Sequence, residues 1–297
     1  MKISTEIGSI AKIVGEREAV RLVADAGFDA FDFSMFEMGR YDRATGGVRQ
    51  TDHPLRSEGY LAFARELGRI EREHGIRCNQ SHAPFPVSCE AIRALLPRAL
   101  ECTAEAGGEY CVIHPDNNRT AEENAGMFRE LLPAARALGV KIATENMWNW
   151  NKTENHAVPA ACSDGPDFLA HLRAVGDPFL VACLDIGHAE MRGLGTSAVR
   201  MIRELGPHLK VLHLHDNDLL HDSHQLPFMM QIDFDPITEA LAEIGYDGYL
   251  TLEADRYCDG ASPEELPARV REMAAAARRL DAMLTEKERK RHDLYRL

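Results

Sequence analysis

The chain has 297 residues, of which 45% are hydrophobic and 27% are charged, which is ordinary for a globular protein of one large or two smaller domains. Its formal net charge of −13 argues against a general nucleic-acid-binding protein, because attraction to phosphates needs a basic surface. No apolar stretch approaches membrane-spanning length, and the first residues lack the apolar run of a signal peptide.

From the N-terminus onward, short apolar runs alternate with longer segments in which apolar residues recur at helical spacing. The short runs predict eight strands, at residues 2–7, 28–33, 76–81, 110–113, 140–144, 179–184, 209–214 and 249–252. The amphipathic segments predict eight helices that follow these strands in turn, at residues 16–26, 58–74, 90–106, 120–138, 167–175, 197–205, 236–244 and 264–290. Gly27 and Gly139 stop two of these helices, and Thr120 is expected to cap one of them.

The alternation of strands and helices predicts a parallel sheet with right-handed crossovers. Eight such units in a chain of this length match a (β/α)8 TIM barrel, so the predicted fold class is α/β. The predicted barrel is a single domain over residues 1–297, with a C-terminal helical extension at about 264–297. A doubly wound open sheet is the competing fold, but it normally carries a glycine-rich phosphate turn after the first strand. Residues 7–10, Ile-Gly-Ser-Ile, contain one glycine only.

In a TIM barrel the active site lies at the C-terminal ends of the strands. Six of the eight predicted strands end in a side chain that can bind a metal ion or transfer a proton: His82, His114, Glu145, Asp185, His215 and Glu253. His188 follows Asp185 closely, and the long loop after the seventh strand adds Asp222 and His224. This concentration of functional side chains predicts an active site at the C-terminal end of the barrel.

The segment 183–188, Cys-Leu-Asp-Ile-Gly-His, shows the pattern most clearly. A buried apolar strand leads into Asp185, Gly187 can turn the backbone without steric cost, and His188 returns near the carboxylate. A carboxylate and an imidazole three residues apart at a strand end suit a metal site or a proton-transfer site. The alternative is that Asp185 caps the next helix and that His188 is a surface residue.

Three carboxylates and one imidazole of this group would form a four-ligand metal site: Glu145, Asp185, His215 and Glu253. Oxygen-rich sites favour hard ions, so we expect one divalent ion, Mn²⁺, Mg²⁺ or Co²⁺, with Zn²⁺ as an alternative. Two carboxylates that flank a metal-bound substrate can remove a proton on one face and return one on the other. The metal would polarise a carbonyl and stabilise the developing enediolate. Glu145 and Glu253 are the expected catalytic pair, and their environments must separate their pKa values.

Six short motifs occur in order at the strand ends: 81–84 Ser-His-Ala-Pro, 112–115 Val-Ile-His-Pro, 143–146 Ala-Thr-Glu-Asn, 184–188 Leu-Asp-Ile-Gly-His, 213–218 His-Leu-His-Asp-Asn-Asp and 252–253 Leu-Glu. Together they resemble the xylose isomerase-like superfamily, specifically its sugar phosphate isomerase/epimerase proteins, over nearly the whole chain. The resemblance implies a sugar isomerase or epimerase that uses the four ligands and the two glutamates named above. It also implies that His188 contacts a substrate oxygen.

Either His213 or His215 could be the imidazole ligand, because the two residues are two positions apart and are expected to point to the same side of a strand. His215 lies nearer the mouth of the barrel and begins a His-x-Asn-Asp pattern that resembles the ligand motif of the family. His215 is therefore the predicted ligand, and His213 is expected to pack beneath it or to support it.

The chain departs from the pattern of its apparent relatives at two places. In ketose 3-epimerases such as D-tagatose 3-epimerase, an arginine that holds the substrate lies six residues after the ligand histidine, and here that residue is His221. Many members of the family also carry a glycine-rich stretch after Asp-x-His. Here the apolar segment 226–230 replaces that stretch, and it is a candidate lid, subunit contact or buried rim loop.

The remaining predicted substrate-binding residues surround the same site: His82, His114, Trp148, His188, His224 and Arg256. Trp148 or its neighbour Trp150 could stack on a sugar ring, with packing at the barrel rim as the alternative. Arg256 could bind a carboxylate or a phosphate, with a surface salt bridge as the alternative.

The predicted partner is a small carbohydrate rather than a membrane or a nucleic acid, and the segment 226–230 raises the option of a homo-oligomer. The seven cysteines are odd in number, and none lies in a Cys-x-x-Cys pair. This cysteine usage predicts a reduced, cytoplasmic protein rather than a disulfide scaffold.

Endonuclease IV shares the expected fold and is the main rival. Its three-zinc site resembles nine residues of this chain taken together: His82, His114, Glu145, Asp185, His188, His215, Asp222, His224 and Glu253. The acidic charge and the lack of evident basic DNA-contact loops count against a nuclease. An inosose-type dehydratase is a closer variant, because it also begins with removal of an α-proton. A barrel without catalysis is the third alternative, and the intact four-ligand set counts against it.

Overall fold

The computed structural model describes residues 1–294, which form a barrel of eight parallel strands. The strands are β1 (Lys2–Glu6), β2 (Ala30–Ser34), β3 (Arg77–His82), β4 (Tyr110–Val112), β5 (Lys141–Glu145), β6 (Leu180–Asp185), β7 (Leu209–His213) and β8 (Tyr249–Leu252). Each strand from β1 to β6 pairs with the next along the chain, and β8 pairs with β1. Between β7 and β8 the ring closes where the Leu214 N–H donates to the Thr251 carbonyl oxygen at 2.9 Å. The predicted (β/α)8 barrel is confirmed.

The helices pack around the strands and bury one face each. Helix Tyr60–His74, for example, buries Phe63, Leu67 and Ile70 at helical spacing. The α-helices span Gly8–Val14, Glu16–Asp25, Tyr60–His74, Glu90–Arg93, Leu96–Glu105, Ala121–Leu138, Gly165–Val175, Ile186–Glu190, Ala198–Leu205, Phe234–Ile244 and Leu266–Leu294. Short 3₁₀ turns occur at Phe36–Met38, Pro54–Arg56 and Gly206–His208.

The predicted helix 90–106 is divided into two helices, Glu90–Arg93 and Leu96–Glu105. Pro97 lies in the first turn of the second helix. Proline has no N–H, and its ring would clash with the carbonyl of residue 93 in a continuous helix, so the chain breaks there.

Two antiparallel hairpins lie in loops for which no structure was predicted. One pairs Tyr41–Asp42 with Gly47–Val48, and the other pairs Trp148–Asn151 with His156–Pro159. The strands of the first hairpin are only two residues long, too short to show a period. Trp148–Asn151 does alternate aromatic and polar residues, a strand signal that the sequence analysis missed. The second hairpin rises from the C-terminal end of β5 and therefore stands beside the expected active site.

The last helix, Leu266–Leu294, packs against helix Phe234–Ile244 and strands β1 and β8. Its buried residues recur every three or four positions: Leu266, Val270, Met273, Ala277, Leu280 and Leu284. Most of the predicted C-terminal extension therefore belongs to the wall of the barrel, and residues 295–297 lie outside the described residues. The single-domain boundary at 1–297 stays a prediction. No helix within residues 1–294 combines the length and apolarity needed to cross a bilayer.

Thr120 forms a capping box at the start of helix Ala121–Leu138. Its hydroxyl accepts the Glu123 N–H, and the Glu123 carboxylate accepts the Thr120 N–H at 2.8 Å. Replacing Thr120 by alanine is expected to lower the free energy of unfolding by about 1 kcal/mol, because an N–H of the first turn loses its partner. Urea denaturation followed by circular dichroism measures the change. Thr120→Ser keeps the hydroxyl and is the control, and an equal loss in both variants would contradict the capping role.

Candidate active site

The C-terminal ends of the strands meet at one mouth of the barrel, which opens into a cavity of about 800 Å³. Glu145 and Asp185 are the last residues of β5 and β6, and Glu253 directly follows β8. Most of the predicted site residues line this cavity: His82, His114, Glu145, Trp148, His188, Asp222, His224, Glu253 and Arg256. Asp185 and His215 are fully buried beneath its surface. The strand-end residues of the sequence therefore converge at one place.

A central group of side chains lies at the base of the cavity: Glu145, Asp185, His213 and Glu253. Their candidate ligand atoms all lie within 4.8 Å of one another. Nδ1 of His213 is 3.3 Å from Oε2 of Glu145 and 3.3 Å from Oε2 of Glu253. Three carboxylates and one imidazole at this spacing can surround a divalent ion.

Asp32 holds the other ring nitrogen of His213, and it is a residue that the sequence analysis missed. Nε2 of His213 is 3.3 Å from Oδ2 of Asp32 and 3.0 Å from Nε2 of Gln80, and all three side chains are buried. A carboxylate at one nitrogen fixes the orientation of an imidazole, and here Nδ1 is directed at the glutamates. A signal was present, because Asp32 is the one charged residue of its strand and lies between Phe31 and Phe33.

A second group of side chains lies beside the first: His188, His215, Asp222 and His224. Nε2 of His215 is 3.1 Å from Oδ1 of Asp185 and 3.5 Å from Oδ1 of Asp222. The ring of His224 stacks on that of His215 with 4.0 Å between the centroids. Asp185 and His215 therefore connect the two groups.

The positions of the two histidines differ from the expectation. His215 was predicted to be a metal ligand together with Glu145 and Glu253, but in the structure it is His213 that contacts both glutamates. β7 ends at His213, so the strand alternation does not extend to His215, whose ring packs against Gly187 after β6. The ligand role of His215 stays a prediction, and His213 becomes a second candidate for it.

His82 and His114 form a third group with Glu145. Nε2 of His114 is 3.3 Å from Oε2 of Glu145, and it is 2.7 Å from Nε2 of His82. Nδ1 of His82 is 3.1 Å from Oε1 of Glu253. The two histidines thus connect the two glutamates along the cavity wall.

Asp185 takes the helix-capping role that was one of the two alternatives, although His188 is buried rather than on the surface, and the metal or proton-transfer role of Asp185 stays a prediction. Its Oδ1 accepts the His188 N–H at 2.7 Å and so caps helix Ile186–Glu190. Its Oδ2 is buried and has no hydrogen-bond partner within residues 1–294. Asn146, which follows β5, accepts the Asp185 N–H at 2.7 Å and fixes this strand end. The cap therefore orients the carboxylate and leaves one oxygen available to a ligand.

The two glutamates have opposite pKa shifts. Burial favours the neutral form of both side chains. At Glu145, burial is outweighed by interaction with the imidazoles of His213 and His114, which hold the pKa well below its usual range. At Glu253, burial reinforced by the negative charge of Glu145 raises the pKa well above its usual range, despite the opposing effect of His213. The side chains alone therefore favour an ionised Glu145 beside a protonated Glu253.

Several buried polar atoms of the first two groups have no hydrogen-bond partner within residues 1–294. They are both carboxylate oxygens of Glu145, Oδ2 of Asp185, Nδ1 of His213, Nε2 of His215 and Oδ1 of Asp222. Burying such atoms without a partner is costly, so their concentration in one place calls for a compensating group. Carboxylate oxygens and imidazole nitrogens are the donors that divalent metals bind, and this donor set fits a metal ion.

Comparison with known proteins agrees with the fold. The profile of the xylose isomerase-like TIM barrel family matches residues 20–280. The chain belongs to this family. A Sinorhizobium fredii protein, y4fM, is 36% identical over 277 residues, which cover 87% of this chain and 79% of that protein. The family expected from the strand-end motifs is confirmed.

Two other similar proteins carry names that describe a reaction. A ketose 3-epimerase of Arthrobacter globiformis is 24% identical over 251 residues, which cover 81% of this chain and 78% of that protein. The structure of an L-ribulose 3-epimerase superposes with a TM-score of 0.71 and 17% identity, and it covers 99% of this chain and 98% of that chain. The structural likeness at this identity establishes the fold.

Three predicted features lie at the rim of this xylose isomerase-like barrel. The exposed Arg256 lines the cavity. Trp148 lines the cavity and packs beside Ala157, as the rim-packing alternative expected, and its stacking on a sugar ring stays a prediction. In the segment 226–230, Leu226 is buried, as the rim-loop alternative expected, whereas Met229 is 59% exposed. The lid and subunit-contact roles of this segment stay predictions.

Proposed function

We propose that this protein is a divalent-metal-dependent isomerase or epimerase of a sugar or sugar phosphate. The observation that carries the proposal is the pair of glutamates at the base of the cavity. Glu145 and Glu253 are buried, and each has an oxygen 3.3 Å from Nδ1 of His213. Two carboxyl groups at one buried centre can serve as base and acid on the same substrate.

In the proposed reaction, one of Glu145 and Glu253 removes a proton from the carbon next to the carbonyl group, and the other returns one. Return to the opposite face of the same carbon gives an epimer, and return to the neighbouring carbon gives an isomer. His82, His114 and His188 line the cavity around the glutamates and would hold substrate oxygens.

The proposed cofactor is one divalent metal ion, Mn²⁺, Mg²⁺ or Co²⁺, with Zn²⁺ as the alternative that the histidines allow. Its ligands would be three carboxylates and one imidazole: Glu145, Asp185, Glu253 and either His213 or His215. When bound, such an ion polarises a carbonyl group.

Metal binding has a readout that does not depend on activity. Adding Mn²⁺ to EDTA-treated protein is expected to raise the melting temperature, because the ion binds the folded chain at its unpartnered buried oxygens. At a free concentration about 100-fold above Kd, the folded state gains about 2.7 kcal/mol. Asp185→Asn should lose most of the shift, whereas a change of the exposed Asp259 to asparagine should keep it. An unchanged melting temperature in the unmodified protein would contradict the metal site.

The named relatives and the charge of the cavity support a neutral sugar over a phosphorylated one. Both relatives named above are 3-epimerases of sugars. Five carboxylates and two arginines line the cavity: Asp116, Glu145, Asp222, Glu253, Asp255, Arg43 and Arg256. Such a surface attracts phosphate groups poorly. His221 stands where ketose 3-epimerases carry a substrate-binding arginine, so we expect contacts with the sugar that differ from theirs.

Solvent deuterium uptake tests the reaction directly. Metal-loaded protein is incubated in D₂O with ketoses, ketose phosphates and inososes, and the substrates are followed by NMR. Deuterium that enters one carbon next to the carbonyl group supports the proposed reaction and identifies the substrate class. A new vinylic signal from an inosose would instead indicate the dehydratase, which shares the first step. No exchange across the panel would count against both.

A phosphodiesterase is a second candidate, because all nine residues that resemble the endonuclease IV site lie in the three groups of side chains described above. This candidate needs several zinc ions and a DNA substrate. Cleavage of a duplex that contains an abasic site, lost in His82→Ala, would support it, and bound zinc measured by mass spectrometry would give the number of ions. The acidic cavity counts against it.

A further inference from the structure

The cavity is larger than a single sugar ring requires. Its volume of about 800 Å³ lies in the upper part of the range that holds drug-sized ligands, and a free monosaccharide is smaller than such ligands. Part of its wall is the hairpin of strands Trp148–Asn151 and His156–Pro159, which extends outward from the end of β5. This hairpin therefore adds binding surface beyond the catalytic glutamates.

Aromatic rings of the hairpin lead away from the centre of the site in regular steps. The ring of Trp148 is 6.3 Å from that of His188, and the ring of Trp150 is a further 6.2 Å from Trp148. His221 stacks on Trp150 at 5.7 Å, and both side chains line the cavity. Each step is close to the length of one sugar ring. Trp148 therefore lies beside His188, and Trp150, against which His221 stacks, lies one ring further along the hairpin.

Asparagine side chains lie next to these rings and are held in place by hydrogen bonds. Nδ2 of Asn117 donates to the Trp148 carbonyl oxygen at 2.9 Å, and Nδ2 of Asn149 donates to Oδ1 of Asn118 at 3.0 Å. All three asparagines line the cavity. Each amide has two donor hydrogens and an acceptor oxygen, of which these bonds use only a part. Held amides can recognise hydroxyl groups, while indole rings cover the apolar face of a sugar.

We infer that the substrate carries a second sugar ring, which binds in an outer subsite formed by Trp150, Asn149, Asn118 and His221. The inference rests on the proposed function for the nature of the reacting unit, which occupies the inner part of the cavity near Glu145. The outer subsite would raise affinity for keto-disaccharides and leave affinity for a single ketose unchanged.

Binding to a matched set of sugars tests the subsite. The probes are D-fructose and three disaccharides that contain a fructose unit, isomaltulose, turanose and lactulose, which differ in the linkage position. Calorimetric titration of the Mg²⁺-loaded protein is expected to show at least one disaccharide bound about tenfold more tightly than D-fructose, which corresponds to about 1.4 kcal/mol. Trp150→Ala should remove this advantage without changing the affinity for D-fructose.

Matched variants distinguish a loss of the outer subsite from a general loss of stability of the hairpin. Lys152→Ala changes an exposed residue at the tip of the same hairpin and should keep the preference. Trp150→Phe should keep part of it, and Asn118→Ala, which lies outside the hairpin, should reduce it. Equal affinity for D-fructose and all three disaccharides would overturn the inference, and so would a preference that survives Trp150→Ala.

The two proposals can fail separately. Deuterium exchange into D-fructose without any preference for disaccharides would leave the proposed reaction intact and remove the outer subsite. A preference for disaccharides that depends on Trp150, with no exchange into any probe, would support the outer subsite and count against the proposed reaction.

Discussion

Glu145→Gln and Glu253→Gln are each expected to lower the rate of α-proton exchange by about 10²–10⁴-fold, the usual contribution of a general acid or base. Glutamine keeps the size of the side chain but cannot accept or donate the transferred proton. Both positions are buried at the base of the cavity, so bulk water cannot readily replace the missing carboxyl group. Deuterium uptake measured by NMR gives the rates, and circular dichroism reports whether the fold is kept.

Glu109 provides a matched control at the opposite end of the barrel. It is an exposed glutamate just before β4 and forms a surface ion pair with Lys141 at 3.4 Å. Glu109→Gln should leave exchange unchanged, because exposed ion pairs contribute little. Near-normal exchange in both Glu145→Gln and Glu253→Gln would contradict the proposed mechanism. Loss in only one of them would identify the glutamate that removes the proton from the substrate supplied.

Gly187→Ala is expected to weaken metal binding by about 10–100-fold, which is typical when a residue that orients a ligand is changed. A Cβ atom added to Gly187 would lie 1.9 Å from Cε1 and 2.3 Å from Nε2 of His215, so the imidazole must move. That movement would separate His215 from Asp185, whose atoms are now 3.1 Å apart. Competition with a fluorescent chelator measures the affinity without any need for turnover.

Gly126→Ala is the matched control, because Gly126 is an exposed helical glycine with nothing within 4 Å of an added Cβ. It should bind metal normally and be slightly more stable, since alanine favours a helix. Unchanged affinity in Gly187→Ala would show that His215 does not bind the ion. If His213→Gln then lost the affinity, the imidazole ligand would be His213, in agreement with its contacts to Glu145 and Glu253.

The cytoplasmic location and the homo-oligomer stay predictions. The segment 226–230 remains the first place to test for a subunit contact, because Met229 and Met230 are 59% and 40% exposed. Size-exclusion chromatography with light scattering would give the oligomeric state.

Local patterns in the sequence were sufficient to predict the barrel. The apolar run before Asp185 specifies a buried strand, and the spacing of Phe63, Leu67 and Ile70 specifies a helix, because both periodicities depend only on nearby residues. Once eight such units were recognised, barrel topology predicted that Glu145 and Glu253 lie at one mouth. The same rule predicted the cavity-lining histidines without any knowledge of distances.

Only the tertiary structure decided which of these side chains meet. Asp32 contacts His213 across 181 positions of sequence, and no local pattern joins them. His213 rather than His215 contacts the glutamates, because β7 ends at His213 and the following chain packs on Gly187. Distances between strand ends depend on how the barrel closes and on the path of each loop. Those distances arise from contacts between remote segments, and short-range periodicity carries no information about them.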